Sequence, residues 1–183
     1  MCGTVKINNI KFHFKVPIKS YKKDNLDVIA KEFPVRKSGN IVTIRHSFCI
    51  FIIFVGLKHA TVNVTSVKEF TDIPQCIELF VRLFLFDDKK VEIEEHVDNI
   101  SASGSIEQRF SATLRELEEC MKNYNGQVYF NQQSFPGITI KFLEGTIVLF
   151  LSGKVNIVGC KTEEAVDKMK SHVEVIRQMS CKN

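Results

Sequence analysis

Val148-Leu149-Phe150-Leu151-Ser152-Gly153-Lys154, followed by Val155-Asn156-Ile157 through Lys161, is the stretch that decides the fold, because the chain holds it twice. Ile52-Ile53-Phe54-Val55-Gly56-Leu57-Lys58 is the earlier copy of its first part. Val62-Asn63-Val64 through Lys68 is the earlier copy of the second, offset by 93 residues. Working outward, Asn9-Ile10 follows a short apolar stretch, and Asn99-Ile100 has the same setting 90 residues later. Glu32-Phe33-Pro34 has a counterpart in Ser134-Phe135-Pro136. One such match could be chance, but four in the same order mark an internal duplication. The offset drifts, which points to insertions in the first half: His59-Ala60-Thr61 lengthening one turn and residues 36–40 another. The repeats are set at 1–88 and 89–183, two halves of one pseudo-symmetric domain.

Local patterns give both halves one plan. Residues 5–16 alternate apolar and polar, as a strand with one solvated face does. Residues 24–33 place Leu26, Ile29, Ala30 and Phe33 at helical spacing, and Pro34 stops the helix. Residues 41–45, 47–55 and 61–65 are β-branched and aromatic, divided by turn-like residues. Residues 71–86 carry Ile73, Cys76, Ile77, Phe80 and Phe84 on one stripe of an amphipathic helix. The second half repeats the order: a strand at 96–101, a helix at 106–122 with Phe110, Leu114, Leu117 and Met121 inward, and strands at 138–142, 146–151 and 155–160. A last helix at 163–179 follows, with Thr162 as its cap and Val166, Met169, Val173 and Ile176 inward. Strands grouped together and then a helix imply an antiparallel sheet with helices on one face, an α+β fold.

Composition sets the outer bounds. Among 183 residues, 44% are hydrophobic and 25% charged, the profile of a globular chain. A net charge of +4 suits an anionic partner without requiring one. The six cysteines show no CxxC pair and no metal-ligand spacing with histidine, so neither zinc nor any other metal or cofactor is expected, and a reducing, intracellular compartment is. The most apolar run, 48–55, is too short to span a bilayer as a helix, and no basic-then-apolar leader opens the chain. His13, His46, His59, His96 and His172 form no ligand or catalytic spacing. No nucleophile with a base, and no phosphate-cradling glycine pattern, is present; an enzyme with a small-molecule substrate is not expected.

With the repeat mapped, the chain resembles the core of the TATA-binding protein family over nearly its whole length. The motifs are Phe135-Pro136-Gly137, then Phe150-Leu151-Ser152-Gly153-Lys154-Val155, then Gly159-Cys160-Lys161-Thr162-Glu163-Glu164, with Phe86-Asp87 through Asn99-Ile100 as the join between repeats. The resemblance implies a saddle of two tandem repeats, a curved antiparallel sheet with helices on the convex face. It implies a transcription initiation factor that binds and bends A·T-rich double-stranded DNA from the minor groove, with general transcription factors or an RNA polymerase assembly as protein partners. The compartment implied is the nucleus, or a cytoplasmic viral factory for a viral lineage. Carried over position by position, Asn9 and Asn99 match the two central asparagines, whose amides can donate to groove acceptors. Phe135 and Phe150 match one pair of wedges between base steps; Phe54 matches a member of the other pair, with Phe33 as its expected partner. Lys58, Lys68, Lys154 and Lys161 would lie near phosphates. Asn63, Thr65, Asn156 and Val158 complete the central groove face.

Departures from the family pattern fall on the same surfaces. Thr65 keeps the family's central threonine, but Val158 replaces it in the second repeat; Asn63 and Asn156 stand where the family has valine. Asn131-Gln132-Gln133 replaces the acidic residues before the second Phe-Pro through which the family holds its initiation-factor partner. A competing function is therefore a saddle that has lost DNA binding and serves as a protein-interaction module in a transcription or repair assembly. A third, a helix-grip ligand carrier, would need an enclosed apolar cavity. Phe48, Phe51 and Phe142 are assigned to the core.

Overall fold

A computed structural model describes residues 5–21, 25–85, 92–106, 112–131, 133 and 135–180. It divides into two compact units, one of Asn9–Asp98 and one of Met1–Asn8 with Asn99–Asn183. We call them the N-terminal and C-terminal units.

The N-terminal unit holds β1 (Lys6–Pro17, apart from its first three residues), α1 (Leu26–Ile29), β2 (Val35–Ser38), β3 (Ile41–Arg45), β4 (Ile50–Val55), β5 (His59–Val67) and α2 (Asp72–Phe84). Its strands lie in the order β2-β3-β4-β5-β1, each antiparallel to its neighbour. Alternation sorts their side chains onto two faces. Phe12, Phe14, Phe51, Ile53, Val62 and Val64 are buried. Their neighbours His13, Ile52, Phe54, Thr61, Asn63 and Thr65 face the other way and stay partly or wholly exposed. α2 covers the buried face with Ile73, Cys76, Leu79, Phe80, Leu83 and Phe84, all buried. The Phe80 ring meets Phe14 edge-on at 5.1 Å and lies 5.9 Å from Phe51 and 5.0 Å from Phe84. Each such ring contributes about 1.5–3 kcal/mol on burial, so this phenylalanine cluster ties the helix to the sheet.

The C-terminal unit begins β6 within His96–Ser105, whose first three residues belong to the other unit. It continues with α3 (Leu114–Lys122), β7 (Gln127–Tyr129), β8 (Gly137–Lys141), β9 (Thr146–Phe150), β10 (Lys154–Cys160) and α4 (Glu163–Ser180). The order is β6-β10-β9-β8-β7, again antiparallel. α4 packs over β9 and β10 and buries Val166, Met169, Val173 and Ile176. Thr162 Oγ1 accepts from the Ala165 amide at 3.1 Å, so the expected cap forms. α3 opens on a reciprocal cap, in which the Glu116 amide donates to Thr113 Oγ1 and the Thr113 amide donates to the Glu116 carboxylate.

Several sequence expectations change in detail. The helix expected at 24–33 is one turn, Leu26–Ile29, after which the Lys31 and Glu32 amides donate to carbonyls three residues back and tighten the chain into turns ahead of Pro34. The helix expected from 106 starts at Leu114; Ile106 lies just beyond the end of β6 and Phe110 lies outside the described residues. Residues 36–40 are no loop insertion. Arg36–Ser38 belong to β2, a short charged edge strand, and Gly39 turns the chain at φ 57. His59, Ala60 and Thr61 likewise do not swell a turn but extend the β4–β5 ladder, with Ala60 opposite Val55. Phe51 is buried as expected, whereas Phe48 and Phe142 are half-buried, against His46 and His172.

Both units carry the same irregularity. In β5, two residues separate Val64 from Val67 where one separates Phe12 from Ile10 on β1. In β10, two residues separate Ile157 from Cys160 where one separates Ala102 from Ile100 on β6. Each is a bulge with its extra residue at positive φ, Ser66 at 69 and Gly159 at 86.

Candidate nucleic-acid interface

The two bulges position the central asparagines. In the N-terminal unit Asn9 Oδ1 accepts from the Ser66 backbone amide at 2.7 Å and from Thr65 Oγ1 at 3.0 Å. In the C-terminal unit Asn99 Oδ1 accepts from the Gly159 amide at 2.7 Å. A backbone N–H can only donate, so these bonds fix which end of each amide is oxygen. The Nδ2 donors are turned away from the bulge; that of Asn99 also reaches Ser101 Oγ at 3.1 Å. Thr65 adds a second anchor to Asn9, which Val158 cannot supply to Asn99.

The register sets out the rest of the exposed face as rows. In the N-terminal unit one row runs Lys15, Thr61, Phe54, Ile41, and the next His13, Asn63, Ile52, Thr43. In the C-terminal unit Lys154 pairs with Ser105 and Phe150 with Gly137; the next row runs Ser103, Asn156, Val148, Thr139. Asn63 and Asn156 thus hold corresponding places. Val158 pairs with Thr146, as Thr65 pairs with Ile50.

Phe135 and Phe150 come together as expected from their motifs, with ring centroids 5.9 Å apart at 62°. Phe135 is 42% exposed. Its ring lies over Gly137, where a Cβ would sit 2.5 Å from Phe135 Cε1. The glycine that opposes Phe150 is what makes room for a second ring.

Phe33 is not brought to Phe54. It sits just before β2, where the Arg45 amide donates to the Pro34 carbonyl at 3.1 Å and the Phe33 ring packs 5.2 Å from His46. Phe54 opposes Ile41 at the other end of β3, about 13 Å away at the usual rise per residue. The Phe-Pro likeness is one of letters. Phe33-Pro34 leads into β2, whereas Phe135-Pro136 leads into β8, the counterpart of β3. The place of Gly137 is held in the N-terminal unit by Ile41, so among the described residues Phe54, 38% exposed, stands without a second ring.

The four expected phosphate contacts are all exposed. Lys58 lies in the β4–β5 turn, Lys68 just beyond β5, Lys154 at the start of β10 and Lys161 just beyond its end. Sequence reading passed over a cluster on the same face of the N-terminal unit. His13 Nδ1 bonds Asp98 Oδ1 at 2.8 Å, Lys11 Nζ lies 3.8 Å from Asp98 Oδ2, and the His96 ring is 5.4 Å from His13. The alternation of β1, with Phe12 and Phe14 inward, was the available signal for Lys11 and His13; nothing in the spacing announced Asp98. The corresponding place in the C-terminal unit is neutral, with Asn8 Nδ2 donating to Ser103 Oγ at 3.0 Å. Among the described residues no group of three His, Cys, Asp or Glu is arranged to hold a metal ion.

The chain is similar to known proteins in both sequence and fold. Residues 94–179 match the family model described as transcription factor TFIID, or TATA-binding protein. The TATA-box-binding protein of Methanothrix thermoacetophila is 22% identical over 142 residues, 76% of this chain and 74% of that protein. The solved structure of the Methanococcus jannaschii protein of that name matches with a TM-score of 0.64 at 18% identity, covering 95% of this chain and 98% of that one. That likeness extends the common fold over both units.

Proposed function

We infer that this chain carries a divergent core of the TATA-binding protein family, and on that premise that it is a transcription initiation factor that binds A·T-rich duplex DNA through the minor groove and bends it. The observation that carries this reading is the matched pair of asparagines. Each has its oxygen tied to a backbone amide at a bulge, which leaves an amide donor for the groove. The minor groove of A·T pairs offers only acceptors, adenine N3 and thymine O2. A donor whose rotation is already fixed loses little entropy on meeting them.

Around those donors Asn63, Thr65, Asn156 and Val158 form the groove-reading centre, and the lysines Lys58, Lys68, Lys154 and Lys161 approach phosphates. Phe135 and Phe150 act as one wedge; Phe54, alone, acts as a lesser one. The expected fold of two repeats with helices behind the sheets belongs to this proposal, as does partnership with general transcription factors or a polymerase assembly. No chemistry is performed on the DNA. The protein works where DNA is transcribed, in a nucleus or in archaeal cytoplasm.

Binding to a labelled A·T-rich duplex tests the reading, with a small minor-groove ligand as competitor and salt as a second variable. The competitor should displace the protein. Four phosphate contacts should give a slope of log K on log salt of about −3.6. Binding that ignores both would instead favour the protein-interaction module.

A further inference from the structure

The Asp98 cluster is an unexpected feature of a face meant for DNA. Its position is set by β1, where Phe12 and Phe14 are buried against the helix side, so His13 between them lies on the opposite, exposed face. His13 stands in register with Asn63, and its ring nitrogen holds the Asp98 carboxylate at 2.8 Å. Asp98, on β6, therefore lies across His13 from Asn63 on β5, an amide assigned above to groove reading, and it is 30% exposed.

A carboxylate only accepts hydrogen bonds, and it has room for about four between its two oxygens. His13 takes one place on Oδ1, and Lys11 at 3.8 Å from Oδ2 neutralises charge without filling a lone pair. Over an A·T step such a group faces adenine N3 and thymine O2, acceptors against an acceptor, and it loses its water for nothing in return. The minor groove contains one donor, the 2-amino group of guanine. The corresponding pair in the C-terminal unit, Asn8 with Ser103, can turn either a donor or an acceptor outward and so has no such demand.

We propose that Asp98, oriented by His13, is a specificity residue that accepts a hydrogen bond from a guanine 2-amino group. The site bound by this chain then contains a G·C pair in the half read by the N-terminal unit, inside an otherwise A·T-rich sequence. Because only one unit has the carboxylate, the same contact fixes the direction in which the protein sits on its DNA. This inference rests on the minor-groove reading above. It goes beyond that reading in naming a base, a step and a polarity.

Inosine differs from guanosine in the minor groove only by lacking the 2-amino group, so a guanosine-to-inosine scan is the direct test. An A·T-rich duplex receives one G·C or I·C pair at each central step in turn, and affinity is measured for the wild-type protein and for Asp98→Asn, which keeps shape and removes charge. One step should prefer guanosine over inosine by about tenfold, the worth of a charge-assisted hydrogen bond. Asp98→Asn should bring that ratio toward unity while binding the all-A·T duplex at least as tightly. Binding with no step that prefers guanosine, or a preference kept by Asp98→Asn, would overturn the assignment and leave minor-groove binding intact. No binding to any duplex would instead bring down the proposed function itself.

Discussion

Replacing Gly137 with alanine should remove the Phe135 wedge without touching Phe135. An alanine Cβ at this position would lie 2.5 Å from Phe135 Cε1, 3.2 Å from its Cζ and 3.0 Å from Val148 Cγ1. Carbon atoms rest at about 3.5–4.0 Å, so something must retreat by about 1 Å. Val148 cannot, because it is held in β9 between Asn156 on one side and Thr139 on the other. The Phe135 ring can, being the far end of a side chain that is 42% exposed. The cost of an off-rotamer side chain, about 0.5–1.5 kcal/mol, is offset by the about 0.5–1 kcal/mol that alanine gains over glycine in a strand. Thermal unfolding should therefore change little, while the 5.9 Å packing of Phe135 on Phe150 is lost. The assay places 2-aminopurine, which brightens when unstacked, at the base step met by this end of the protein. Wild type should brighten it; Gly137→Ala should fail to, matching Phe135→Ala. If Gly137→Ala unstacks the base as well as wild type while Phe135→Ala does not, the glycine does not govern the ring and the reasoning is wrong.

Two further perturbations test other parts of the account. Ser66 occupies the left-handed region at φ 69, where its counterpart is Gly159; Ser66→Gly should keep the bulge and raise stability by up to about 1 kcal/mol, read by denaturant unfolding, and Ser66→Val should lower it. His172 stacks on Phe142 at 4.3 Å, and burial, then the nearby Lys168, push its pKa down against the pull of Glu144. The folded protein thus binds this proton less readily than the unfolded chain. That stability is whole above the ordinary histidine value of about 6.5 and is lost as pH falls below it. His172→Phe, which keeps the stack, should flatten unfolding midpoints between pH 7 and pH 5.

Much of the fold was legible because alternation and helical stripes are strong signals. β1, β3, α2, β8, β9 and α4 stand within a few residues of where the pattern places them. β2 and β7 were not legible, since Arg36-Lys37 and Gln127 belong to short, exposed edge strands whose partners, not their own residues, define them. In the candidate site, the bulge-bonded asparagines Asn9 and Asn99 and the ring pair of Phe135 and Phe150 fall at residues that the repeated motifs single out. Phe33 could not be placed, because its position depends on which hairpin its Phe-Pro precedes, and that is a matter of register. Asp98 and His13 are 85 residues apart; only the pairing of distant strands brings them together.

The most direct measurement is the end-to-end distance, by fluorescence energy transfer, of a duplex carrying an A·T-rich site. Addition of the protein should shorten it by a bend within the 20–90° shown by known minor-groove wedge proteins, the TATA-binding protein among them. Phe135→Ala with Phe150→Ala should abolish most of that shortening while leaving a folded chain. A duplex that stays straight when saturated with protein, or a bend the double variant does not reduce, would contradict the account.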